Sequence, residues 1–443
     1  MEGILFFIIV AVFLVLTFLR FPRGVSFLLI SAIIMVLSEK KFTVSTLLEG
    51  AFGYFDAVLT VLTAMIFIVA IEKSGLLNHL ANFLTLRFST KPRLLLLLST
   101  ILAMSGGMIT GSSSASVLTT GAVAFPILKT LGLDNKKAGT LIAISSVCGM
   151  IAPPVNIQAM VICEGVDMPY VGFTYPLLWL TVPTALVMSL ILAGKDLKKP
   201  VLNQKFHAQS KDIFLYSPLI VFIVLSILDS LGKIRIGLPL VFMLSALTAI
   251  FSTRKKLNFV EISMNAMEQS LPILAILVGV GMLIQVMTLS GVRGFIVANM
   301  LFFPYGVLFI TVGLGVPLFG AVSSYGAASV LGIPFLLAFR GGNDIVIASA
   351  ISLLAGLGDM LPPTALASTV SAQIAGLNSY LYIFRRSIPY LFIIGLISVM
   401  SVLYSSRIAK VIENPWWFWI TIGLIFVLCF LRDRSYRKGD VRI

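Results

Sequence analysis

The sequence predicts an all-α polytopic membrane protein made of two inverted repeats, about 11 spans in all, with a re-entrant hairpin in each repeat. Three observations predict it. The 443 residues are 58% hydrophobic and 11% charged, with a mean hydropathy of +1.05, whereas soluble domains carry roughly 25% charged residues. Apolar runs of roughly 14 to 22 residues recur along the whole chain, the lengths that spans need, where an outer-membrane barrel would show short alternating strands. Lastly, GGMITGSSSASVLTTGAVAFPILKTLGLDNKKAGTLIAISSVCGMIAPP at 106–154 crowds apolar sequence with Gly, Ser and Thr and ends on Pro-Pro. A looser copy, GLGVPLFGAVSSYGAASVLGIPFLLAF and then GLGDMLPPT, stands about 209 residues later. In lipid, backbone polar groups must be satisfied internally, so irregular backbone at membrane depth survives only inside protein or beside a watery cavity. Paired breaks of this kind mark a site.

In chain order, residues 4–19 form a first span, RFPRG at 20–24 turns, 25–37 returns, and 39–41 is a short external loop. Residues 1–19 lack a basic leader and a small-residue cleavage site, so they read as a retained span. Residues 55–70 cross next. The mixed stretch 76–88 has an apolar face at helical spacing and lies in the interface. A hairpin over 94–128 follows, entering along 94–104, turning at 105–114 and leaving along 115–128, because neither arm is long enough to cross alone. Residues 138–166 form a broken helix. Proline removes an N–H and disfavours helix at the residue before it, so the first half ends near Ile151. Residues 173–192 complete a first repeat over 1–194, and the basic stretch 195–212 is the linker. The second repeat, 213–406, runs through 213–227, 236–251, 271–289, an interfacial 294–303, a hairpin over 307–339 turning at 318–326, a broken helix over 345–375, and a span at 389–404. An extra span at 414–431 ends the chain.

Five spans per repeat is an odd number, which inverts the second repeat. The basic loops at 20–23, 136–137, 195–211, 254–256, 385–386 and 432–438 then share one side. That side is the cytoplasm of a cell inner membrane by the positive-inside rule, with the N-terminus outside and the C-terminus inside. The net charge of +14 is thereby a topology signal, and no nucleic-acid partner is expected. Cys148, Cys163 and Cys429 lack CxxC spacing and lie in apolar sequence, as packing residues. His79 and His207 are far apart in sequence. There is no phosphate-binding G-x-x-x-x-G-K-[ST] pattern, so the chain reads as a non-enzyme with no organic cofactor.

The chemistry gathers at the turns and breaks. The first turn offers Ser105, Gly106, Gly107, Thr110, Gly111, Ser112, Ser113 and Ser114; the second offers Gly320, Ser323, Ser324 and Gly326. Gly149, Asn156 and Gln158 flank the first Pro-Pro pair, and Gly358, Asp359, Thr364 and Ser368 flank the second. Glycine lets backbone approach closely, and hydroxyls supply neutral oxygens. Helix ends offer N–H groups to anions and free carbonyls to cations. Small residues also line ordinary helix contacts in membranes, but a dense run inside a hairpin too short to span favours a site. Asp359 is the sharpest single residue. An intramembrane carboxylate is costly and usually faces a cavity or a partner. Capping the following helix is its plainer role; a cation or proton role fits its position better. The first repeat has Met150 there.

GMITGSSSASVLTTGAVAFPILKTLGL, followed by GMIAPPVNIQAMVI and VGFTYPLL, resembles the large membrane subunit of tripartite ATP-independent periplasmic (TRAP) transporters, within the ion transporter superfamily. GLGDMLPPTALAS and IFRRSIPYL resemble the matching C-terminal elements, so the resemblance covers about 25–405. It implies an elevator-type, Na⁺-coupled permease for an organic acid such as a dicarboxylate or sialic acid. It also implies two partner chains, a small four-helix membrane subunit and a periplasmic substrate-binding protein. The family's Na⁺ sites fall here on Ser112, Ser113, Gly149, Ser323, Ser324, Gly358 and Thr364, to which Asp359 is added on its own chemistry. Thr110, Ser114, Asn156, Gln158, Thr364 and Ser368 are then expected to face the organic anion. VNIQAM after Pro154 departs from the family's more usual Ser-Ile-Pro type of continuation. Two rivals are a stand-alone carrier or antiporter using Na⁺ or H⁺ without a binding protein, and a non-transporting membrane scaffold.

Overall fold

The computed structural model describes residues 1–38, 43–194, 196–198, 213–230, 232–253, 255–339 and 341–439. The external loop expected at 39–41 and most of the linker expected at 195–212 lie outside the described residues. Among the described residues the chain is helical, with no strand. Six helices are long and apolar enough to cross a membrane: Phe55–Ser74, Pro92–Thr110, Thr174–Ala193, Phe259–Ser290, Leu381–Leu403 and the segment Trp416–Asp433. Shorter apolar helices, including Glu2–Phe18, Arg23–Leu37 and Gly237–Phe251, fill in between them.

The helices sort into two packed groups. One group centres on the 32-residue helix Phe259–Ser290, which packs against Arg23–Leu37, Val44–Phe52 and Phe55–Ser74. Glycines set these crossings, as small residues do where no water drives helices together. A Cβ added at Gly281 would lie 2.2 Å from the Gly50 carbonyl oxygen, and one at Gly24 would lie 2.6 Å from the Ala275 backbone. The second group holds the hairpins, the broken helices, Thr174–Ala193 and Leu381–Leu403. Two short helices, Leu76–Phe88 and Val292–Leu301, lead from one group to the other. Each follows a glycine in the left-handed region, Gly75 at φ 85° and Gly291 at φ 84°, which ends the long helix before it.

The first hairpin differs from its sequence reading. Its entering helix is Pro92–Thr110, so the turn shrinks to Gly111 and Ser112. The small polar residues do not break this helix, because their hydroxyls return to its own carbonyls: Ser105 donates to Leu102 O at 2.7 Å and Thr110 to Gly106 O at 2.7 Å. The stop comes only at Gly111, with φ 62°. The second hairpin likewise stays helical over Tyr305–Gly320. Two helices went unread in the sequence, Val44–Phe52 and Ser405–Ile412.

The C-terminal helix Trp416–Gly439 docks on the hairpin group. Its apolar side meets Leu97 and Leu186 through Cys429. Asp433, 1% exposed at its side chain, accepts hydrogen bonds from the Arg93 and Leu94 backbone N–H groups at 3.1 and 3.3 Å, and from the Arg93 guanidinium at 3.1 Å. It thus supplies the cap that the N-terminus of Pro92–Thr110 lacks locally.

Candidate functional site: two hairpin tips and two broken helices

Both hairpin tips are built by one device. Ser112 ends the first turn and its hydroxyl accepts the Ala115 N–H; Ser323 ends the second and accepts the Gly326 N–H. One helical turn later each returning arm widens into a π-helical turn, Val117–Gly121 and Ala328–Gly332. Single π-turns of this kind recur at functional sites.

The breaks match as well. Asn135–Ile151 is capped by Asp134 and stops before the cis Pro153-Pro154 bond; Asp344–Leu357 is capped by Asn343 and leads to the cis Pro362-Pro363 bond. The residue after each pair ties the break to its own hairpin. Val155 N–H donates to Met108 O at 3.2 Å, and Thr364 N–H to Ala321 O at 3.4 Å. Thr364 adds a hydroxyl bond to the same oxygen at 2.7 Å.

Gly149 and Gly358 are where hairpin and broken helix touch. A Cβ at Gly149 would lie 2.2 Å from Met104 O, and one at Gly358 would lie 2.1 Å from the Gly320 carbonyl carbon. Neither position has room for any side chain.

The two halves then converge on Asp359, which is 4% exposed. Ser113, from the first hairpin, donates to its Oδ2 at 2.5 Å. Ser324, from the second hairpin, lies within hydrogen-bonding reach of the same carboxylate. Gln158 donates from Nε2 to the Ser324 hydroxyl at 3.3 Å and approaches Met150 Sδ at 3.4 Å, while its Oε1 is buried with no donor. Tyr325 reaches across to the Gly111 carbonyl at 3.2 Å. Each tip is thus held by the opposite repeat.

Not every expected residue joins this cluster. Asn156 caps Ile157–Glu164 and donates to Ile151 O and to the Ser352 hydroxyl, both at 2.9 Å, which ties the broken helices together. Ser114 is half-buried beside Ser112, at 3.2 Å between hydroxyls. Thr110 serves its own helix, and Ser368 faces the Met360 carbonyl at 3.3 Å. Tyr325 and Ser352 were missed in the sequence. The one available signal was that Tyr325 sits inside the Ser-Ser-x-Gly tip.

The Asp359 carboxylate thus has the Ser113 and Ser324 hydroxyls beside it, with the Gln158 amide on Ser324. Among the described residues no group of three or more His, Cys, Asp or Glu could hold a metal ion. Oxygen groups without thiolate or imidazole suit a hard cation rather than a soft one, and the Gln158 Oε1 is buried without a donor.

A solved structure of the YdaH transporter of Alcanivorax borkumensis is similar in fold, with a TM-score of 0.59 at 14% identity over 88% of this chain and 97% of that chain. At that identity the likeness concerns the fold. No curated protein matches the chain. A family model described as the DctM component of tripartite ATP-independent periplasmic transporters matches residues 10–406. Most of the sequence, with both hairpins and both breaks, falls within that match, and the chain belongs to the DctM family of membrane transporter components.

Proposed function

We propose that the chain is the large permease subunit of a tripartite system that brings an organic acid inward on a Na⁺ gradient. The observation that carries this reading is the buried carboxylate of Asp359, which accepts the Ser113 hydroxyl from the first hairpin tip and has Ser324 of the second beside it. A charge kept at such depth needs a partner, and its neighbours are neutral oxygens able to share a cation with it. The cation binds beside Asp359, Ser113, Ser324 and Gln158. The organic anion lies between the tips, near Thr364 and Ser114, both of which keep some exposure. Gly149 and Gly358 serve as packing hinges for the hairpins, a different role from direct ion contact. The hairpin group moves as a body against the other helices, with Leu76–Phe88 and Val292–Leu301 as its connections. The small membrane subunit and the periplasmic binding protein are separate chains. The N-terminus lies outside and the C-terminus in the cytoplasm.

Reconstitution tests this. Proteoliposomes holding the chain and its two partners should accumulate labelled succinate or sialic acid under an inward Na⁺ gradient and not under an equal K⁺ gradient. Uptake driven equally by either ion would overturn the coupling. Uptake by this chain alone would overturn the tripartite reading.

A further inference from the structure

Arg23 opens the helix Arg23–Leu37 and is half-buried. Among the described residues it enters none of the salt bridges. One turn further along, Phe27 is 1% exposed, and its ring lies against the second hairpin tip: a Cβ added at Gly326 would be 2.9 Å from its Cζ. Phe27 also stacks on Phe13, which stacks on Phe319 of the same hairpin, at 5.1 and 5.4 Å between ring centroids. Residues four apart share a helix face, so Arg23 belongs to the face that meets this tip. Its charge acts on both the Asp359 carboxylate and Tyr325.

A guanidinium drawn partly out of water and held in no salt bridge gains from an arriving anion. Its planar fork matches a carboxylate through two parallel N–H···O bonds. We propose that Arg23 is a specificity-determining residue, which receives a carboxylate group of the transported anion where the second hairpin tip meets the Arg23–Leu37 helix. This rests on the organic-acid reading above. Asp359 and the incoming anion draw on the same positive charge, so a cation held at Asp359 frees Arg23 for the anion. Ion and substrate binding are linked by that shared charge. The residue stands on the stationary group, so the contact belongs to the conformation in which the tip is docked there.

Thermal unfolding of the purified chain in NaCl tests the proposal, with succinate and sialic acid as probes and their neutral amides as controls. The carboxylates should stabilise the wild type and the amides should not. Arg23→Gln should raise the half-maximal carboxylate concentration about tenfold or more, and Arg23→Lys by less, because lysine keeps the charge and loses the fork. Both variants should still melt higher in NaCl than in KCl, with Arg23→Gln keeping or enlarging the difference because Asp359 loses a competing positive charge. An Arg23→Gln protein that responds to carboxylate within about twofold of wild type overturns the assignment. A wild type that responds to no carboxylate overturns the organic-acid reading and this proposal together.

Discussion

Ser113 and Ser324 lie far apart in the sequence, yet Ser113 donates to Asp359 and Ser324 stands beside it. Removing one of them leaves a buried carboxylate short of a donor. Ser113→Ala should therefore cost about 1–3 kcal/mol of stability, read as a lowered unfolding midpoint, and should weaken the response to Na⁺ by a larger factor than Ser105→Ala, whose hydroxyl serves only its own helix. The glycines make a sharper prediction. Gly149→Ala and Gly358→Ala push a methyl group into backbone at 2.2 and 2.1 Å and should each cost about 1–3 kcal/mol or more. Gly315→Ala, with nothing within 4 Å of the new Cβ, should be tolerated in the same melting experiment. The serines, Asp359 and the glycines were legible in the sequence, because polar and small residues stand out in a chain so apolar. Tyr325 was not, since an aromatic ring reads as packing, and Arg23 was not, since a basic residue at a span end reads as a topology signal. Where a hydroxyl points is settled by geometry: Thr110 turns back to Gly106 O, although its neighbours looked equally available.

At the scale of elements, the order of helices, hairpins and breaks follows from apolar run length and from the two Pro-Pro pairs. The hairpin boundaries do not, because a serine or glycine in lipid stays helical as long as its hydroxyl finds a carbonyl and its backbone stays in register. Gly111 breaks the helix through its positive φ, a property the neighbouring glycines share in principle and only Gly111 uses. Val44–Phe52 and Ser405–Ile412 are amphipathic but only nine and eight residues long, and beside the long apolar runs they read as loop. The C-terminal helix was legible as an extra span, but its task was not. Asp433 caps a helix some 340 positions earlier in the chain, a link without any local pattern. Asp433→Ala should leave two backbone N–H groups without their cap and cost about 1–3 kcal/mol. Hydrogen exchange at the Arg93 and Leu94 amides should speed up in this variant while the amides of Asp344–Leu357 keep their protection. Unchanged exchange at residues 93 and 94 would show that the cap is unimportant.

At the scale of the molecule, the proposed transport has the two groups of helices move against each other, and covalent ties test it. The Phe27 ring tip and Gly326 meet across the groups, so a reducible bifunctional thiol reagent bridging a Phe27→Cys/Gly326→Cys pair should abolish uptake and reduction should restore it. Leu97 and Cys429 share one apolar cluster within the hairpin group, so the same reagent bridging Leu97→Cys and the native Cys429 should leave uptake near its wild-type rate. The central claim, however, is that Asp359 and the hairpin hydroxyls hold the coupling ion, and it is tested most directly by thermal stability in NaCl against KCl at equal ionic strength. An ion that binds only the folded chain stabilises it by RT ln(1 + [L]/Kd), about 2.7 kcal/mol at 100 times Kd. The wild type should show a Na⁺-specific rise that Asp359→Asn reduces by at least about tenfold in apparent affinity. Equal melting in the two salts, or a Na⁺ response untouched by Asp359→Asn, would contradict it.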